Sequence, residues 1–172
     1  MTKTPADQNR GIVAREEQER ATRIWQHAYQ RQLAGDLNEA VALYKASIDI
    51  LPTPEAHTFL GWTYSFQGRY HEAIAECHRA IEIDSEFGNS WNDIGAYLIE
   101  LDRAEESIPY FKRALKAERY ASKHFPHFNL GRVYEKLGRW YEAIAELDAA
   151  MEILPDYIEA YRAKMELVAR LN

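Results

Sequence analysis

Apolar and small residues recur along the chain every three or four positions, the period of an amphipathic helix. Residues 125–155 show the pattern most clearly. Apolar side chains keep the period over residues 125–137, and Gly138 follows, a residue that readily adopts the left-handed conformation in which many helices end. The period resumes over residues 142–154, and Pro155 closes the segment. The pattern predicts two helices joined by a tight turn.

The same helix pair occurs four times, at a period close to 34 residues. A first series of small residues lies 33, 34 and 36 positions apart: Ala28, Gly61, Gly95 and Gly131. A second series keeps the same spacings: Ala40, Ala73, Ser107 and Ala143. A third marks the turns: Gly35, Gly68, Asp102 and Gly138. Because three independent series share one period, the sequence predicts a solenoid of repeated helix pairs.

The residues around these positions resemble a known signature, in which Trp-x2-Leu-Gly-x2-Tyr precedes Ala-x3-Phe and a final Pro. The first part is matched by Trp91, Ile94, Gly95 and Leu98, by His57, Leu60, Gly61 and Tyr64, and by His127, Leu130, Gly131 and Tyr134. The second part is matched by Ala40 with Tyr44, Ala73 with Cys77, Ser107 with Phe111 and Ala143 with Leu147, and the proline by Pro52 and Pro155. The chain thus resembles tetratricopeptide repeat proteins over residues 21–157.

This resemblance implies an all-α fold, a right-handed solenoid of antiparallel helix pairs. We expect a single domain over residues 12–172, with repeats at about 21–53, 54–87, 88–121 and 124–157. A capping helix is expected over residues 158–171. Residues 1–11 are polar and without periodicity, so we expect them to be a disordered tail.

Composition narrows the possible partners. Of the 172 residues, 47% are hydrophobic and 28% are charged, as in ordinary globular domains, and the net charge is -6. A nucleic-acid partner is not expected, because phosphates bind to basic surfaces. No apolar run is long enough for a secretory signal or a membrane span, so we expect a cytoplasmic protein without membrane contact.

Candidate chemistry is sparse. No phosphate-binding loop, nucleophile motif or zinc spacing occurs. His57 and His127 take the place of the signature tryptophan, and Cys77 takes that of a large core residue, so packing explains all three. His71 and His78 lie two helical turns apart, too far to share an ion. We expect no enzyme activity, no metal and no cofactor.

A second aromatic stripe on the first helices is not used by this packing. In the tetratricopeptide family the corresponding face lines a concave groove that binds peptides. The resemblance implies a groove lined by Trp25, Tyr29, Trp62, Phe66, Asn89, Asn92, Phe125, Phe128, Asn129, Arg132 and Lys136. Aromatic rings can bind the apolar side chains of a peptide. The amide groups of Asn92 and Asn129 can pair with its backbone, and Arg132 and Lys136 can bind a carboxylate.

The sequence is consistent with several functions. The first is a non-catalytic adaptor or scaffold that binds a peptide or protein segment in the groove. The second is a small acidic chaperone of a secretion-type client, and the third is a self-assembling structural subunit. The aromatic stripe itself has two alternative covers, the chain's own residues 12–20 or a second copy. Homo-oligomers through the aromatic groove or the terminal helices are therefore possible.

Overall fold

The computed structural model describes residues 5–171, with side chains from residue 11 onward. This part of the chain contains no β-strand and consists of nine helices joined by short turns. The helices are α1 (Pro5–Leu33), α2 (Leu37–Ile50), α3 (Pro54–Phe66), α4 (Tyr70–Ile83), α5 (Gly88–Glu100), α6 (Ala104–Lys116), α7 (His124–Lys136), α8 (Trp140–Ile153) and α9 (Ile158–Leu171). The predicted all-α class of helix pairs is confirmed. Helices begin at residues 54, 88, 124 and 158, where the expected repeats and terminal helix begin.

The helices divide into two compact units. Unit 1 ends at Ala80 and unit 2 begins at Ile81. In unit 1, α1 packs on α2, and α3 packs on both. In unit 2, α5 pairs with α6, α7 pairs with α8, and α9 packs on α8 and α7.

The small residues of the repeat lie where paired helices cross closely. In unit 1, a Cβ atom added to Gly61 would lie only 2.9 Å from the carbonyl oxygen of Ala73. In unit 2, one added to Gly95 would lie 2.6 Å from the Phe111 ring, and one on Gly131 would lie 2.8 Å from Leu147. These distances are shorter than normal van der Waals contact, so a larger residue has no room at the crossings.

The four turn positions explain the third sequence series. Gly35, Gly68 and Gly138 have positive φ angles of 84°, 73° and 72°. Asp102 has φ 61° and is the one non-glycine residue with positive φ in the described chain. Each residue ends a first helix in the left-handed conformation, which lets the chain reverse direction within a few residues.

Two of the histidines form hydrogen bonds between paired helices. His57 Nδ1 lies 2.7 Å from Glu76 Oε2, and His127 Nδ1 lies 2.6 Å from Glu146 Oε2. Both pairs join the first and second helix of one repeat, and the His57–Glu76 pair is almost fully buried. The sequence predicted packing at these positions. The structure adds a hydrogen bond that replaces the tryptophan contact of the signature.

The N-terminal segment extends α1. Of the expected disordered tail, residues 1–4 lie outside the described residues, whereas residues 5–11 are helical. Pro5 begins the helix, a position where its missing N–H group costs nothing. Residues 11–20 are exposed and continue in the same helix as Trp25. They therefore do not fold back over the aromatic stripe of unit 1.

The crossings can be tested with one substitution at two glycines. Gly61→Ala should lower the free energy of unfolding by about 1–3 kcal/mol, because its methyl group would overlap the Ala73 carbonyl. Gly11→Ala, on an exposed part of α1 with no atom within 4 Å, should be neutral or raise it by up to about 1 kcal/mol. Urea unfolding measures both. Equal effects at the two glycines would contradict the assigned crossing.

Candidate protein-binding faces

Unit 1 presents a continuous row of aromatic rings, which we call the ring ladder. It consists of Trp25 and Tyr29 on α1 and Phe59, Trp62 and Phe66 on α3. Trp25 stacks on Tyr29 with a centroid separation of 5.9 Å, and Phe59 contacts these two rings at 5.0 and 5.5 Å. The row continues from Phe59 to Trp62 at 5.6 Å and from Trp62 to Phe66 at 5.3 Å. The four residues predicted here are thus brought together through a fifth.

Helical spacing separates the ladder from the core. Phe59, Trp62 and Phe66 follow one another at i, i+3 and i+7, so they share one face of α3. Leu60 and Tyr64 point to the other face and are buried. The side chains of Trp62 and Phe66 remain 38% and 55% exposed. Their rings therefore stand at the surface while the rest of α3 holds the repeat together.

Trp25 anchors the inner end of the ladder. Its ring is half-buried and meets the buried Tyr44 ring edge-on at 6.4 Å. Its indole Nε1 is buried and has no hydrogen-bond partner within the described residues. A cavity of about 230 Å³ lies beside Trp25, between Thr22, Ser47 and Leu51. Trp25 therefore contributes to the packing of unit 1 and is only partly accessible, whereas Trp62 and Phe66 are exposed.

Unit 2 carries a second aromatic cluster, formed by His124, Phe125, Phe128 and Tyr157. The Tyr157 ring lies 5.3, 6.0 and 5.1 Å from the rings of His124, Phe125 and Phe128, respectively. Phe125 is exposed, and Phe128 is half-buried against the α8–α9 core. Burial lowers the pKa of His124. Burial also raises the pKa of the Tyr157 phenol, as does Glu159, while the nearby Arg132 acts in the opposite direction.

Beside this cluster, four polar side chains form a chain of hydrogen bonds that we call the amide relay. Arg132 donates to Asn129 Oδ1 at 3.4 Å, and Asn129 Nδ2 donates to Asn92 Oδ1 at 3.3 Å. Asn92 Nδ2 in turn donates to Asp93 Oδ1 at 3.3 Å. Arginine only donates, so Asn129 turns its Oδ1 toward Arg132 and its Nδ2 toward Asn92, whose own Nδ2 is then directed at Asp93.

The relay changes the role of its asparagines. Asn92 and Asn129 are only 9% and 8% exposed, and each already bonds to the other. They therefore offer little surface to a partner's backbone, which was their expected role. Arg132 is exposed at the end of the relay. The structure supports the asparagines as groups that orient Arg132.

The two remaining predicted residues lie apart from these clusters. Asn89 is exposed on α5, one turn before Asn92. Lys136 is exposed too, but its Nζ lies 2.5 Å from Asp102 Oδ1 at the turn that follows α5. Lys136 therefore forms an ion pair away from the relay, which the sequence did not indicate.

Three residues that contact the predicted site residues were not predicted from the sequence. Phe59 shares a helical face with Trp62 and Phe66, so a stripe count extended by one turn would have found it. Tyr157 follows α8 in a turn, and no periodicity points to it. Asp93 adjoins Asn92, but only the fold shows that burial raises the pKa of its carboxyl to about 7.

Comparison with known families agrees with this architecture. A family model of the tetratricopeptide repeat matches residues 54–87 and 124–157, and a second model of the same repeat matches residues 88–120. Together the matches cover more than half of the chain. This is a tetratricopeptide repeat protein. Residues 21–53 match neither model, although α1 and α2 form a helix pair there too.

Curated relatives of this tetratricopeptide repeat protein are much longer. It is 25% identical over 123 residues to the TPR repeat-containing thioredoxin TTL4 of Arabidopsis thaliana, covering 68% of this chain and 18% of that protein. It is 22% identical over 171 residues to Superkiller complex protein 3 of Mus musculus, covering 78% of this chain and 11% of that protein. The chain thus spans less than a fifth of either relative.

Solved structures share the fold at low identity. PilF of Pseudomonas aeruginosa superposes with a TM-score of 0.84 at 18% identity, over 90% of this chain and 70% of that chain. PilW, described as a type IV pilus biogenesis factor, gives 0.78 at 23% identity, over 86% and 70%. YrrB, described as having an unusual peptide-binding site, gives 0.67 at 21% identity, over 94% and 82%.

Two kinds of feature are absent from the described residues. No group of three or more His, Cys, Asp or Glu side chains in them is placed to hold a metal ion. None of the helices they form is both long and apolar enough to span a bilayer.

Asp93 gives a pH test of the relay. Because its folded pKa of about 7 lies above the unfolded value, its protonated form stabilises the fold at low pH, and this stabilisation is lost as the pH rises toward 7. Asp93→Asn keeps the acceptor for Asn92 and removes the charge. The variant should therefore gain stability relative to wild type between about pH 4 and pH 8, by up to about 4 kcal/mol. Parallel urea-midpoint profiles for the two proteins would contradict a buried carboxyl.

Proposed function

We propose that this protein is a non-catalytic interaction module that binds a peptide or protein segment on the outward faces of its first helices. The observation that carries the proposal is the ring ladder of unit 1, whose outer rings Trp62 and Phe66 are exposed while Leu60 and Tyr64 on the other face of α3 are buried. Exposed aromatic rings beside a rigid scaffold are typical binding hot spots. Tetratricopeptide repeats are in general interaction modules without catalytic activity, and family membership supports the same conclusion.

The ring ladder favours apolar partner side chains. Its five residues include no charged group, and Trp62 and Phe66 form a tilted pair of exposed rings. Binding there would remove apolar surface from water, which stabilises a complex by about 25 cal/mol per Å². A partner segment that contacts unit 1 should therefore present aliphatic, aromatic or proline residues.

The face of unit 2 favours an acidic group next to an apolar one. Phe125 is the exposed ring of the aromatic cluster of unit 2, and Arg132 is exposed at the end of the amide relay. The relay holds Arg132 through Asn129, which reduces the conformational freedom that the guanidinium would lose on binding. A carboxylate can then accept from the remaining N–H groups of Arg132.

The aromatic anchors can be tested by substitution. Peptides selected from a displayed library on the wild-type protein serve as ligands, and calorimetric titration gives their affinities. Trp62→Ala should weaken ligands of unit 1, and Phe125→Ala, which removes the exposed ring of the unit 2 cluster, should weaken ligands of unit 2, each by about 2 kcal/mol or roughly thirtyfold. The reason is that loss of a central ring removes most of the apolar contact.

A matched control separates binding from folding. Tyr141 lies on α8, outside both faces, and is 84% exposed. Tyr141→Ala should leave affinity and melting temperature unchanged. If Trp62→Ala and Phe125→Ala melt well below wild type, or bind as tightly as Tyr141→Ala, these rings serve internal packing and the proposal fails.

The role of Arg132 has its own electrostatic test. Arg132→Ala should weaken acidic ligands about tenfold at low salt, and the difference should shrink as salt rises. Lys136→Ala removes the same charge from a side chain already paired with Asp102, so its effect should be smaller. Titrations of both variants at two salt concentrations measure this. Equal losses of affinity in the two variants would show that only the net charge of the protein affects binding.

A further inference from the structure

The last helix, α9, has two opposite apolar faces. Its inner face carries Ala160 and Leu167, which are fully buried against α7 and α8. Its outer face carries Ile158, Tyr161 and Met165, which are 56%, 55% and 40% exposed. The spacing i, i+3 and i+7 places these three side chains in one stripe. Ile153 and Leu154, also exposed, extend it into the preceding turn.

The sequence predicted a capping helix at this position, for which a polar outer face is normal, but the outer stripe of α9 is apolar. A contiguous exposed apolar surface on a folded domain marks a contact site. The charged residues beside the stripe indicate what that contact is.

Four charged residues of alternating sign follow one flank of the stripe: Glu159, Arg162, Glu166 and Arg170. At 100° per residue, all four project on the same side of Ile158 and Met165. Arg162 and Glu166 are exposed and make no ion pair with any described residue. Arg170 is already held, since its guanidinium donates to Glu135 at 2.8 Å.

These charges alternate in sign, so a second copy of the flank that runs in the reverse direction places a basic charge opposite an acidic one. In two antiparallel helices that pack face to face, the same flank of each helix meets the other, in opposite order. Arg162 of each copy then lies beside Glu166 of the other. In a parallel pair this flank would instead meet the opposite one, which carries Lys164, already bonded to Asp148 at 2.6 Å. The charges therefore select the antiparallel arrangement.

We propose that the outer face of α9 is a self-association surface, on which α9 of a second copy packs in antiparallel orientation. Tyr161 of each copy lies next to Met165 of the other. Both copies use the same patch, so the contact has two-fold symmetry and closes as a dimer. The proposal does not depend on the peptide-binding faces described above.

The first test is the mass of the full chain in solution. Light scattering and sedimentation should give a dimer for wild type at high micromolar concentration. Tyr161→Glu places a charge in the apolar stripe and should give a monomer with unchanged helical circular dichroism. Tyr141→Glu, at a more exposed tyrosine on α8, should remain dimeric. If Tyr161→Glu loses helicity, Met165→Glu replaces it in the same comparison.

The second test exchanges charges. Arg162→Glu and Glu166→Arg should each weaken the dimer about tenfold, because two symmetric pairs become repulsive. An equimolar mixture of the two single variants should restore dimers of wild-type affinity, since each acidic pair then meets a basic pair.

Three results would overturn the proposal. One is a wild-type chain that stays monomeric at millimolar concentration. Another is a dimer that persists in both Tyr161→Glu and Met165→Glu, which would place the contact elsewhere. The third is a mixture of Arg162→Glu and Glu166→Arg that associates no better than either variant alone.

Discussion

The structure depends on the close crossing of two helices at a small residue. At Gly61 the partner backbone is so near that even a methyl group would overlap the Ala73 carbonyl, and at Gly95 the Phe111 ring occupies the corresponding space. Such a crossing consumes one face of each first helix and brings its second helix into contact along much of its length. The opposite face takes no part in this crossing, and several of its side chains stay exposed. The exposed rings of unit 1 and the arginine of unit 2 lie on these free faces.

The two units use their free faces differently. Unit 1 concentrates aromatic surface in a ladder of five rings without a charge, and Trp25 fixes its inner end against Tyr44. Unit 2 combines fewer rings with a polar chain that begins at a half-buried carboxyl and ends at Arg132. The first arrangement suits apolar side chains and the second an anionic group. Repetition of one helix pair thus supplies a common scaffold on which different chemistry is presented.

Much of this was predictable from sequence because the signals are local or periodic. The glycine series indicated both the crossings and the positive-φ turns, and the spacing of Trp62 and Phe66 placed them on a stripe away from Leu60 and Tyr64. Contacts between distant residues were not predictable. Asn92 and Asn129 lie 37 positions apart and pair only because α5 and α7 are neighbours. The outer stripe of α9 was also missed, since exposure on a last helix depends on what packs beyond it.

The central claim is that the faces left free by the helix crossings contact a partner. Site-specific photo-crosslinking tests it most directly. A photoreactive phenylalanine analogue is introduced at Phe66, at Phe125 or at Tyr141, and each protein is irradiated with the selected peptides before adducts are mapped by mass spectrometry. The account predicts adducts with defined peptide residues from positions 66 and 125 and almost none from position 141. Equal labelling from all three positions, or adducts only within the protein's own chain, would contradict it.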